Sequence, residues 1–444
     1  MPDPITDDAD RTGRRIPRRP VPQLGREVAG LGVLVVVSVA AVLFARLFKE
    51  STLGVIEWVS GTSDPTEAAR DGNWWVIAMV VAAAVVVAAV LGAIARQRAG
   101  ERIGLTAVAA AARGEGTGPS VRGTLLEGGA TWVASTGLAS LGRELAIVEA
   151  GGALGAASGR RLPTFGPSLA AGGIAAAFAS AYHAPIAAVI YVEGHLTVRH
   201  NRRSLVYAVI GAALSHAITV WVFDGRAIFP GVQGSTGGMF ALAAVGLVPA
   251  LVGSRVFLEL RDLGTIAYSR ASRHRRMLTE AAMCVVVGAV LVASVPLASG
   301  NGMEALRAAS TDTTVSVALA LALAKLAATA ATLRLGVPGG VFSPSLAVSA
   351  GWALLAFIGL EAVGFDLPGA RWDGMIAAMA VGIAVGLGSP LLAAVVIPEM
   401  VGSVSLLPVC ALVSVAAWYG DRRLAGWRSW RWPTLESKLR DDDA

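Results

Sequence analysis

Two stretches of this chain, residues 29–47 and 74–95, are almost wholly apolar and long enough to cross a lipid bilayer as helices. A spanning helix needs about 20 such residues, and only segments that satisfy their own backbone survive in hydrocarbon. That feature restricts the chain to a helical, multi-pass membrane protein. The charged share agrees: it is 15%, where a soluble domain carries about a quarter. The first run does not read as a cleaved signal peptide, because a long polar, Arg-rich stretch precedes it without a small-residue cleavage site.

The net charge of +6 lies at the polar edges. Arg11, Arg14, Arg15, Arg18, Arg19 and Arg26 open the chain, and Arg422, Arg423, Arg428, Arg431, Lys438 and Arg440 close it. The positive-inside rule then places both termini in the cytoplasm of a cell membrane protein; this is not a nucleic-acid pattern. Residues 1–28 read as a disordered basic segment, residues 421–444 as a cytoplasmic tail. Cys284 and Cys410 are too few and too isolated for a disulfide framework, and the five histidines have no ligand spacing, so neither metal nor cofactor is expected.

Residues 49–73 read as a polar connection. Beyond residue 96 the apolar pieces shorten, broken by glycine and proline. They run approximately over 104–112, 124–141, 145–157, 168–181, 185–194, 204–223, 239–256, 277–298, 313–335, 341–358, 374–387, 390–400 and 404–419. Interrupted helices meeting near the midplane build ion sites in transporters; the 52 glycines also permit close helix packing. Two of these pieces form a repeat. The glycine- and alanine-rich segment 171–185 ends in Pro185, the similar segment 376–390 in Pro390, and an apolar helix with a glutamate follows each. Upstream stand Gly142-Arg143-Glu144-Leu145-Ala146 and Gly340-Val341-Phe342-Ser343-Pro344. The prolines are 205 positions apart and the leading glycines 198 apart, giving halves of about 74–225 and 239–420.

Gly142 through Ala146 place an arginine and a carboxylate inside an otherwise apolar stretch, where charge must be paired, hydrated or used. A helix start there offers free N–H groups and the positive end of the dipole, an anion site needing no basic side chain. The same residues also read as a buried loop with a structural Arg143–Glu144 ion pair. Trp74, Trp75, Trp427, Trp430 and Trp432 read as interfacial belt residues.

From about residue 29 to 419 the chain resembles the CLC chloride channels and chloride/proton antiporters. Gly142-Arg143-Glu144 is similar to that family's G-[KR]-E, and Pro338-Gly339-Gly340-Val341-Phe342-Ser343-Pro344 to its P-G-G-x-F-x-P. Ala181-Tyr182-His183-Ala184-Pro185 resembles A-F-x-A-P, and Pro398-Glu399-Met400 resembles L-E-M. Three features depart from the family. The G-S-G-I-P motif is missing near residues 100–106, Leu145 and Ala146 replace a glycine and a proline, and the anion-contacting tyrosine of the last helix has no clear counterpart. With the serine and tyrosine hydroxyls missing, a weaker or displaced central site is expected.

The resemblance implies an all-α, CLC-like inverted-repeat bundle of tilted and broken helices. It implies chloride transport, as a channel or chloride/proton antiporter, with fluoride, nitrate or a non-transporting scaffold as alternatives, and no enzyme activity. The anion-binding stretches would be Gly142, Arg143, Leu145 and Ala146, with Gly340, Val341, Phe342 and Ser343. Glu144 would be the gate: ionised, it occupies the outer anion position; protonated, it swings away. His195, or Glu193 beside it, would be the inner proton acceptor, although His195 and His200 with Arg199, Arg202 and Arg203 read more simply as the start of a basic loop. Lys325, Glu149 and Glu399 read as buried, paired groups, and a twofold homodimer is expected.

Overall fold

The computed structural model describes residues 21–116, 118–196, 201–223, 225, 227–263 and 274–429, without the side chains of 21–24, 195, 274–276 and 425–429. Residues 1–20, Arg199, His200, Trp430, Arg431, Trp432, Lys438 and Arg440, and the side chains of His195, Trp427 and Arg428, therefore lie outside it.

The two unaided crossings fall in α1 (Val21–Ser60) and α3 (Trp74–Ala99). The polar connection between them is mostly helical: α1 runs on to Ser60, and α2 (Pro65–Asp71) fills much of the rest. Asp64 starts α2, its carboxylate accepting from the Thr66 N–H at 2.7 Å, with Pro65 at the first helical position. α1 also begins at Val21, inside the segment expected to be disordered. Next come α4 (Gly104–Arg113), α5 (Val121–Thr136), α6 (Glu144–Gly159), α7 (Gly166–Tyr182), α8 (Pro185–Ile190) and α9 (Arg202–Trp221).

The order then resumes with α10 (Thr236–Asp262), α11 (His274–Ser294), α12 (Met303–Ala309), α13 (Val315–Leu319) and α14 (Lys325–Arg334). A π-turn over Ala320–Ala324 joins α13 to α14. Last are α15 (Phe342–Ala362), α16 (Arg371–Gly386), α17 (Pro390–Val401) and α18 (Leu407–Ser429). Among the described residues, eight helical segments are long and apolar enough to cross a membrane. The short α12 has no counterpart among the apolar pieces, because two of its seven residues, Glu304 and Arg307, are charged.

Two helices are buried on nearly every side: α7, from Ser168 to Ser180, and α16, from Trp372 to Val385. A helix that is apolar all round belongs in an interior, and these two carry the repeated segments. α6 and α9 pack on α7, while α10, α15 and α18 pack on α16. Outer helices turn large apolar side chains outward: Val36 and Leu47 on α1, Met79 and Val90 on α3. Close packing needs small residues. Gly151, Gly155 and Gly159 lie along one side of α6 and meet Gly173, Leu169 and Gly166 of α7.

A methyl at Gly155 would stand 2.1 Å from the Leu169 carbonyl oxygen, whereas one at Gly128 meets nothing within 4 Å. Gly155→Ala should therefore destabilise the detergent-solubilised protein by about 1–3 kcal/mol. Gly128→Ala should leave thermal unfolding unchanged, and equal melting of the two variants would contradict this packing.

Candidate functional site

Three irregular segments meet at one buried point. Gly142 and Gly340 exchange backbone hydrogen bonds, 2.9 Å from the Gly142 N–H and 2.7 Å from the Gly340 N–H. The Leu141 N–H donates to the Gly300 carbonyl at 3.2 Å, which brings in the turn before α12. Leu138, just upstream, takes a left-handed backbone conformation (φ 62°). The pairing needs glycine at 142, since a Cβ there would lie 2.6 Å from the Gly340 oxygen. Thr131 on α5 fixes the second loop by donating to the Pro338 carbonyl at 2.8 Å.

This arrangement puts the starts of α6 and α15 side by side. A Cβ built on Gly340 would be 3.6 Å from the Leu145 nitrogen. Neither helix donates a first-turn N–H to the side chain of its capping residue, Arg143 or Val341. Their first amides therefore remain donors for something else.

Glu144, on the first turn of α6, reaches across to α15. Its Oε2 accepts from the Ser343 hydroxyl at 2.9 Å, and its Oε1 accepts from the Asn301 amide. Glu144 is 6% exposed. It lies at the base of a cavity of about 310 Å³ whose wall also carries Lys49, Arg143, Asn301, Glu304 and Arg307. Arg143 points at Glu304 (3.0 Å) and stands 3.8 Å from Glu144, so it neutralises two buried carboxylates.

Lys325 is fully buried and donates to the carbonyls of Ala298, Ser299 and Gly300 at 3.1, 3.0 and 2.6 Å. It thus pins the turn that presents Asn301 to Glu144. The Asn301 oxygen accepts from the Met303 N–H at 3.0 Å, which starts α12.

Two hydroxyls stand at the site although the expected serine and tyrosine motifs are absent. Ser343 is one. The other belongs to Tyr182, which hydrogen-bonds Ser343 and lies within electrostatic reach of Glu144. Its ring packs on Phe342, centroids 4.2 Å apart. Tyr182 sits inside a stretch singled out in the sequence, but nothing there announces that its hydroxyl turns to α15. Asn301 was also missed; its signal is a polar turn of serine, glycine and asparagine between apolar helices.

On the other side of the helix starts lies a second cavity of about 320 Å³. Leu145, Ala146, Gly339 and Val341 form one wall, and Arg96, Glu127, Glu149 and Arg261 contribute charge. The expected anion stretches therefore separate two cavities. Glu193 is exposed in a third pocket, beside Asn201 and Arg202 and away from both. Glu399 accepts from the Ile186 and Ala187 N–H groups of α8 at 2.9 and 2.8 Å, a tethered anion on a helix start.

Broken helices from two parts of one chain, meeting end to end inside a membrane bundle, define a transport protein of the inverted-repeat class. The sequence profile described as "Voltage gated chloride channel" matches residues 83–421, and the chain belongs to this CLC family. The fold agrees. A slow cyanobacterial Cl⁻/H⁺ antiporter superposes with a TM-score of 0.69 at 17% identity, over 88% of this chain and 94% of that one. A CLC-type fluoride/proton antiporter gives 0.65 at 17% identity, over 88% and 95%. A eukaryotic CLC transporter gives 0.64 at 18% identity, over 90% and 73%. No curated protein matches in sequence.

Removing the Lys325 ammonium would leave the buried carbonyls of Ala298 and Ser299 without a donor, each costing about 1–3 kcal/mol, while Gly300 keeps only the Leu141 N–H. Lys325→Ala should lower the melting temperature in detergent clearly. Lys49→Ala, on the exposed wall of the first cavity, should stay within about 0.5 kcal/mol of wild type. A neutral Lys325→Ala would refute the pinning role.

Proposed function

We propose that this chain carries chloride, or another small anion, across the cell membrane through the point where α6 and α15 begin, with Glu144 as the gate. The observation that carries this reading is the Glu144 carboxylate itself. It is an anion tethered to one helix start and held at the other by Ser343. A free anion can take the place of this carboxylate when the side chain is protonated and leaves. Uncapped amides of Leu145 and its neighbours on α6, and of Phe342 and Ser343 on α15, supply donors whatever the side chain. Lys49 and Arg307 on the first cavity favour anion entry.

Gating by Glu144 makes anion passage depend on protons, as an antiporter or a pH-sensitive channel. Likeness to one solved Cl⁻/H⁺ and one fluoride/proton antiporter, at the same 17% identity, supports testing both anions. The basic residues at the chain ends support a cytoplasmic location for both termini. The chain works as a twofold dimer through α8, α9, α17 and α18, whose exposed apolar residues such as Ile186, Val206, Leu391 and Leu412 would be covered by the second copy.

Purified protein in sealed vesicles should release chloride or fluoride down its gradient, with a rate that varies with pH. Glu144→Gln should keep release and remove the pH dependence. Unchanged pH sensitivity in that variant refutes the gate, and silence towards chloride, fluoride and nitrate alike refutes transport. A native mass measurement in detergent should find two chains of 45.3 kDa together; only single chains would count against the dimer.

A further inference from the structure

α4 is a third helix starting at the core, where the family's serine motif would have stood. No anion is needed to complete it, because the protein supplies two carboxylates. Glu127 from α5 lies against the Gly104 N–H, and Glu149 from α6 against the Leu105 N–H. A Cβ on Gly104 would be 3.9 Å from Oε1 of Glu149. Glu127 and Glu149 interact with one another across the second cavity, and they are only 8% and 6% exposed. Oε2 of Glu127 is buried without a hydrogen-bond partner.

Two buried carboxylates side by side repel, and a proton held between them removes the repulsion. A metal cation is the poorer occupant: the same cavity is lined by Arg96 and Arg261, whose charges oppose it. An inorganic anion is poorer still, because the carboxylates already cover the α4 amides.

Between this pair and the gate stand three buried hydroxyls, those of Tyr191, Tyr182 and Ser343. Glu149 is within electrostatic reach of the Tyr191 hydroxyl, and Tyr191 of the Tyr182 hydroxyl. Tyr182 bonds Ser343, and Ser343 bonds Glu144 at 2.9 Å. Phe178 holds both tyrosine rings, with centroids 4.6 Å from Tyr182 and 4.7 Å from Tyr191.

We infer that Glu127 and Glu149 form a proton-loading site in the second cavity, and that Tyr191, Tyr182 and Ser343 pass the proton from it to Glu144. Each hydroxyl accepts a proton on its oxygen and releases its own to the next group. The proton leaves Glu149 and ends on the Glu144 carboxylate, and no electron moves. Charged groups facing the path are Arg96 and Arg261 at the loading end. At the gate end they are Arg143, Lys49, Glu304 and Lys325. This assignment rests on Glu144 gating an anion path. It differs from the expectation from sequence, which left Glu149 as a buried, bonded group and looked to His195 or Glu193 for the inner acceptor.

The test records anion efflux and external pH together in vesicles holding the full chain. Wild type should move protons opposite to the anion. Glu149→Gln and Tyr191→Phe should each cut proton movement by about a hundredfold while anion efflux continues. An unchanged ratio of protons to anions in Glu149→Gln overturns the relay and leaves the Glu144 gate standing. Should Glu149→Gln fail to fold, Tyr191→Phe, which keeps the ring on Phe178, decides alone, and unchanged coupling in it overturns the path. Wild-type anion efflux without proton movement also overturns it. Absence of efflux for every anion tried overturns the transport reading, and the relay with it.

Discussion

The pairing of Gly142 with Gly340 is the contact on which the rest of the centre depends. Two peptide hydrogen bonds hold together loops nearly two hundred residues apart, and they do so where water cannot compete for the same groups. Once the loops are paired, the α6 and α15 starts have no freedom to point elsewhere. Glu144 can reach Ser343 only because the backbones touch. The loops can touch because Gly142 carries no Cβ at the junction, where one would stand 2.6 Å from the Gly340 oxygen.

That backbone pairing creates an electrostatic problem, and the surrounding residues answer it. Two helix starts bring partial positive charge to one buried spot. Glu144 offsets it from within, and Arg143 then balances Glu144 and Glu304. Lys325 does no ion pairing at hydrogen-bond range; it spends its three donors on carbonyls of one turn. A buried ammonium satisfied in this way stiffens a loop that has almost no regular structure of its own. The stiff loop is what aims Asn301.

Much of the scaffold was legible because lipid imposes simple rules. Length and hydropathy marked α1 and α3, and glycine with proline marked the breaks. The repeated segments, read only as marking two corresponding halves, lie on the two helices buried on nearly every side, α7 and α16. The motifs also pointed to the convergence of Glu144 with Ser343. What could not be read were contacts set by tertiary geometry. Asn301, Tyr182 and the Glu127–Glu149 pair are single polar residues whose meaning depends on which neighbour they face. Helix α2 was missed for a different reason: Asp64 and Pro65 start it locally, a signal weaker than the polar composition around them. The missing serine and tyrosine motifs suggested a site poor in hydroxyls, yet Ser343 and Tyr182 stand there from other positions.

Tethered carboxylates recur at helix starts throughout this bundle, and comparing them singles out the movable one. Glu399 accepts from two peptide N–H groups of α8, and Asp373 from those of Gln233 and Gly234 at 2.8 and 2.7 Å. Those donors belong to backbone and cannot turn away without unfolding a helix or loop. Glu127 and Glu149 likewise sit against the amides of α4. Glu144 is held differently: its two hydrogen bonds come from the Ser343 hydroxyl and the Asn301 side-chain amide. Side chains change rotamer at small cost, and a neutral carboxyl gives them much less to hold than a charged one. The carboxylate beside the first cavity is therefore the one held by groups that can themselves turn, and this difference supports the gating role proposed for Glu144.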